Sequence, residues 1–229
     1  MIKDGDAMNG TDWLLLPIVL TANLVTAYAF LNDKALINIS QEQDSSAKKT
    51  QIIYSVLMIM VNIGISVLFL TMYQSNTVLF SLKRLLLLSI LWAVGYIDFK
   101  TYKIPNRFII LGLIFRAGIL IFELVFEREL LINCLISEGI AAGALLIATL
   151  LCCLCIKNSI GYGDIKLFVV MGLMLGLEGI WSAVFVSLLI SFVVAVILLI
   201  TRKKGKKDVI PFAPSIAIGT YISIIMTGM

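Results

Sequence analysis

The chain has 229 residues, 60% of them hydrophobic and 14% charged, against about 45–50% and about 25% in ordinary soluble domains. This balance excludes a soluble globular domain and points to a membrane protein, with room for roughly seven or eight crossings of about 20 residues each. With no histidine and a net charge of +4, His-dependent triads and paired-His zinc helices are excluded, and the basic residues read as orientation signals rather than a nucleic-acid surface.

Taken in chain order, the apolar runs predict spans at 13–31, 52–72, 80–97, 108–126, 134–156, 165–177, 180–200 and 209–227. The expected fold class is therefore all-α, a polytopic membrane helical bundle of about eight transmembrane helices. Ala27-Tyr28-Ala29 resembles a cleavage site, but the leader carries Asp4, Asp6 and Asp12 with Lys3 as its only basic residue. Signal peptides need a positive leader, so the first run is read as a retained span. Residues 32–51 form a hydrophilic loop too short to be a domain, and the later loops are brief. Cys152 and Cys155 have a C-x-x-C spacing inside an apolar run without polar partners. With Cys134 and Cys153 they read as packing residues.

Lysine and arginine are distributed unevenly. With the N-terminus outside, loops 32–51, 98–107, 157–166 and 202–208 share one side and hold thirteen of them. The other side has four (Lys3, Lys83, Arg84 and Arg128), and Arg116 falls within a span. The side rich in positive charge is expected to be cytoplasmic, which places Asp98 and Asp164 at the cytoplasmic face of a plasma membrane.

Asp98 ends one apolar run, and Asp164 opens another within Gly161-Tyr162-Gly163-Asp164-Ile165-Lys166. An ionised side chain at bilayer depth costs about 2.5–3.5 kcal/mol on insertion scales, so such acids point to function. The span 165–177 covers only about 20 Å of a roughly 30 Å hydrocarbon core, which predicts a polar cleft around the glycine turn. Two carboxylates at one water can hydrolyse a peptide bond. The ionised one removes a proton from the water, and the protonated one donates to the carbonyl oxygen. Gly161 and Gly163 would permit positive φ and close backbone approach to an unwound substrate. The structural alternatives are an N-cap role for Asp164 and a membrane-exit charge for Asp98.

Three blocks carry a resemblance. Asp98-Phe99-Lys100-Thr101-Tyr102-Lys103-Ile104-Pro105-Asn106, Gly161 to Leu167, and Ile210-Pro211-Phe212-Ala213-Pro214 through Gly219 together resemble type IV prepilin peptidases. The resemblance implies a six-helix GxGD aspartyl protease core at 80–229, preceded at 1–79 by two membrane helices and a short cytoplasmic loop. It implies Asp98 and Asp164 as the catalytic pair. Gly161, Gly163, Lys103, Pro105, Asn106, Lys166, Pro211, Phe212 and Pro214 are implied as substrate-binding or motif residues. The implied reaction needs neither metal nor cofactor. The expected partners are a prepilin or pseudopilin precursor and membrane lipid, with no nucleic acid.

Residues 32–51 lack the paired cysteines of the domain that many bacterial members place there, so a peptidase without N-methylation is expected. The alternatives are a proton-coupled transporter using the same aspartates, or another GxGD protease acting on signal peptides or preflagellins. Arg116 is read as a structural partner of Glu123 or Glu138, and Glu178 as part of a short external turn. The cluster Arg202 to Lys207 is read as a lipid anchor, and Gly172 and Gly176 as a close helix contact beside the site.

Overall fold

The computed structural model describes residues 15–34, 36–37, 44–73, 76–155, 161–201 and 210–228. The expected lipid anchor at 202–207 lies outside them. Seven helices are described: α1 (Leu15–Leu31), α2 (Asp44–Met72), α3 (Val78–Thr101), α4 (Asn106–Phe126), α5 (Arg128–Cys155), α6 (Tyr162–Ile200) and α7 (Ala213–Thr227). No strand occurs among the described residues. Five of these helices are long and apolar enough to cross a membrane. Large apolar side chains such as Ile53, Phe126, Leu154 and Phe192 cover the outside. A surface of that kind needs lipid, so the chain is a multi-pass helical membrane protein.

Local chemistry sets the helix ends. Thr77 caps α3, accepting a hydrogen bond from the Phe80 N–H at 3.3 Å. Tyr102 closes the same helix in the left-handed region (φ 54°), returning its N–H to the Asp98 carbonyl, a common helix stop. Pro105 stands immediately before α4 with φ −69°. α3 is the central helix, with 83% of its apolar window buried by its neighbours, whereas the other four long spans bury 11–33%.

The expectation of about eight spans and the finding of seven helices are reconciled at Gly176. α6 has 39 residues, which as one straight helix would reach about 58 Å, twice the hydrocarbon thickness. Gly176 breaks it with φ 65° and ψ −174°, and the contacts on either side run in opposite senses. In the first half Lys166 meets Asn106 and Val170 lies against Gly112, parallel to α4. In the second half Ser182 pairs with Ser223 at 2.7 Å and Ser187 reaches the Ile216 carbonyl at 3.3 Å, antiparallel to α7. The break is satisfied locally, because the Leu177 N–H donates to Ser137 Oγ at 2.9 Å. Irregular backbone at membrane depth needs such a partner.

Small residues bring the helices close. A Cβ on Gly172 would lie 2.7 Å from the Ala142 backbone, and one on Gly219 2.5 Å from that of Ser187. Gly172 and Gly176 therefore make the expected close contact, and it is with α5. The N-terminal helices join the bundle through a buried polar seam. Asn62 donates to Asn23 Oδ1 at 2.7 Å and accepts from Tyr221 at 2.6 Å. Phe30, Tyr54, Trp92 and Tyr96 form an adjoining aromatic cluster.

Two charges counted on the outer side prove to be internal. Lys83 is buried in α3 and pairs with Glu123 at 2.8 Å and Glu138 at 2.7 Å. Arg116 completes the cluster, pairing with Glu123 at 2.9 Å and hydrogen-bonding Glu138 through Nε at 2.7 Å. Arg84 is also buried, its guanidinium stacked 3.2 Å over the Phe80 ring. Neither Lys83 nor Arg84 is an exposed loop charge, so the count on that side falls to Lys3 and Arg128. Burial was not visible in the sequence because both residues fall near the start of the predicted span 80–97, where a long basic side chain can ordinarily reach water.

Candidate functional site

Asp98 lies in the last turn of α3 and is 6% exposed. Its Oδ2 accepts the Ala213 N–H at 3.0 Å, and the Phe212 N–H also supports the carboxylate. The first N–H groups of a helix lack partners within that helix. Here a carboxylate from α3 supplies one for α7, in a place where the helix dipole favours negative charge. The Pro211-Phe212-Ala213-Pro214 block makes this approach possible. Pro214 falls in the first turn of α7, where a proline needs no intrahelical donor. It lies against Gly95, whose added Cβ would stand 3.4 Å from Pro214 Cα. Phe212 packs on Phe168 with ring centroids 5.8 Å apart, tying the start of α7 to α6.

Asp164 occupies the third position of α6, not the N-cap considered from the sequence. Gly161 is the N-cap, with φ −71° and ψ 143°. The Asp164 carboxylate folds back onto Gly161, whose N–H hydrogen-bonds it, in the manner of the acidic member of a capping box. Oδ1 of Asp164 is buried and has no hydrogen-bond partner among the described residues. The Asp98 carboxylate lies near enough for its charge to act on Asp164. Two carboxylates from separate helices thus converge at one end of the bundle.

The glycines act differently from expectation. Neither Gly161 nor Gly163 has positive φ; among the described glycines only Gly176 and Gly228 do. What both need is the absence of a side chain. A Cβ on Gly161 would come within 3.1 Å of Asp164 Oδ2, and one on Gly163 within 2.9 Å of Ile104 Cβ. Ile104 belongs to the short loop after Asp98's helix, so the first two sequence blocks pack directly on one another. Lys166 Nζ donates to Asn106 Oδ1 at 3.0 Å and fastens the same junction. Lys103 is exposed on this loop, while Pro105 is partly buried.

The structure therefore gathers Asp98, Pro105, Asn106, Gly161, Gly163, Asp164, Lys166, Phe212 and Pro214 around one junction, with Pro211 leading into α7. Sequence reasoning did not single out Ile104, the Ala213 N–H or Phe168. All three lie within or beside the quoted blocks, and only packing shows what they touch. An apolar groove of about 590 Å³ runs between α2, α3 and α7, lined by Tyr54, Gly95, Phe99, Lys100 and Pro214, with neither aspartate in its lining.

The model of the type IV leader peptidase family matches residues 85–200. The prepilin leader peptidase/N-methyltransferase of Bacillus subtilis (strain 168) is 33% identical over 136 residues, which is 59% of this chain and 52% of that protein. The chain thus spans about half the length of the curated relative it matches. No solved structure matches.

Proposed function

The chain belongs to the type IV leader peptidase family, and from that premise we propose that it is an aspartyl endopeptidase. It removes the leader from prepilin-like precursors at the cytoplasmic face of the plasma membrane. Asp98 and Asp164 are the catalytic pair. Like charges held this close share one proton. The ionised carboxylate takes a proton from a water, which attacks the scissile carbonyl, and the other donates its proton to the developing oxyanion; on collapse the first passes the water proton to the leaving amine and the second recovers its own from the gem-diol hydroxyl. Two carboxyl groups suffice for this cycle, so no metal is required.

The observation that carries the reading is the convergence of the two acids, from α3 and α6, within blocks that resemble those of prepilin peptidases. The apolar groove that reaches Phe99 and Pro214 supports it, since an apolar stretch following the cleaved bond could lie there. The Lys and Arg bias supports the cytoplasmic face and an external N-terminus. Residues 1–79 form an accessory helix pair, and 80–229 the protease core. Because residues 32–51 contain no cysteine, the cleaved product is left unmethylated.

The test uses the full chain in detergent and a precursor whose leader ends in glycine before an apolar helix. The wild type is expected to cut it, leaving an unmethylated N-terminus by mass spectrometry. Asp98→Asn and Asp164→Asn should each slow cleavage by about 100-fold or more. Full activity in either variant would sink the two-acid mechanism.

A further inference from the structure

The leader peptidase reading leaves the N-terminal helices without a part in the chemistry, and Asp33, just beyond α1, lies outside the family match. We infer that Asp33 and Arg107 are positioning residues, an ion pair through which the N-terminal helices hold the motif loop against Asp164's helix. This inference rests on the leader peptidase reading.

Asp33 is 2% exposed, and a carboxylate taken that far from solvent needs a cation. It pairs with the Arg107 guanidinium. Arg107 also donates to the Asn32 carbonyl at 3.2 Å, next to the end of α1, where a helix favours positive charge. Arg107 is the second residue of α4. The first, Asn106, is held by Lys166, two residues beyond Asp164. The start of α4 is thus fixed between α1 and α6. The four residues 102–105, including Ile104 against Gly163, link this point back to Asp98's helix. Releasing Arg107 from Asp33 frees one side of that clamp.

The helix pair does not need this contact to stay docked. Asn23, Asn62 and Tyr221 join it to α7, and Phe30 and Tyr54 pack on Trp92 and Tyr96. Loss of the ion pair should therefore alter catalysis without unfolding the protein.

The experiment measures precursor cleavage and thermal unfolding of the full chain in detergent for wild type, Asp33→Asn, Arg107→Gln, Arg107→Lys and the Asp33→Asn/Arg107→Gln double variant. Asp33→Asn and Arg107→Gln are each expected to lower kcat by about tenfold, because small misplacements of reacting groups are costly. KM should stay within about twofold. The melting temperature of Asp33→Asn, which removes the buried charge, should stay within about 3 °C, whereas Arg107→Gln strands the Asp33 carboxylate and should melt lower. The double variant should be no slower than either single, as expected of one coupled pair, and Arg107→Lys should retain more activity than Arg107→Gln. Unchanged kcat in Asp33→Asn, additive losses, or a fall in Asp33→Asn explained by its lower melting temperature would each overturn the inference. A wild type that cleaves nothing would instead remove the leader peptidase reading, and this inference with it.

Discussion

Gly163 shows how a single residue can be noticed in the sequence for one reason and required for another. Its spacing from Asp164 drew attention to conformational freedom, yet its backbone is helical, and its importance lies in the Ile104 contact. Gly163→Ala would force the Ile104 loop outward by several tenths of an ångström, moving Asp98's neighbourhood relative to Asp164. Cleavage by this variant is expected to fall by about tenfold, and adding Ile104→Ala should recover much of the loss, a coupling that a double-mutant cycle would measure. Asp164 follows the same pattern. Its position at a helix start was legible, but its return to the Gly161 N–H and the burial of its Oδ1 depend on the rotamer that packing selects.

At the scale of elements, the hydrophobic runs marked the helices well because every span must satisfy its own backbone in lipid. The gap between 165–177 and 180–200 was visible as a polar interruption at Glu178, and the reversal itself is produced by Gly176. A side chain there would meet the left-handed backbone and the Ser137 hydroxyl at 3.1 Å. Gly176→Ala is expected to destabilise the protein by about 1–2 kcal/mol, read as a lower midpoint of thermal unfolding in detergent. α7, at 15 residues, reaches only about 22 Å. Its first turn is thereby free to meet the end of α3 within the bundle, where Asp98 takes its N–H groups.

For the molecule as a whole, two buried polar systems hold the bundle together. The Asn23–Asn62–Tyr221 seam binds the N-terminal helices to the rest. The cluster of Lys83, Arg116, Glu123 and Glu138 joins α3, α4 and α5. Removing one partner of a buried ion pair leaves a stranded charge and typically costs about 3–5 kcal/mol. Glu138→Gln, which deprives both Lys83 and Arg116, should accordingly lower the unfolding midpoint strongly. A cleavage assay on the fraction that remains folded should show activity close to wild type, because the cluster contacts neither aspartate. The pairing of Arg116 with Glu123 and Glu138 was expected. The part played by Lys83 was hidden, because nothing in a linear charge count distinguishes a loop lysine from one turned inward.

What the sequence determined alone was the solvent, the helical class, the approximate spans and the acids worth attention. Each of these follows from composition or local order, since lipid tolerates few charges and few backbone forms. Tertiary structure decided what those residues touch: Asp98 at the start of α7, Gly163 against Ile104, Lys166 on Asn106, and Asp33 on Arg107. These contacts join residues up to 115 positions apart, and their geometry is set by helix packing, which no local pattern of residues encodes.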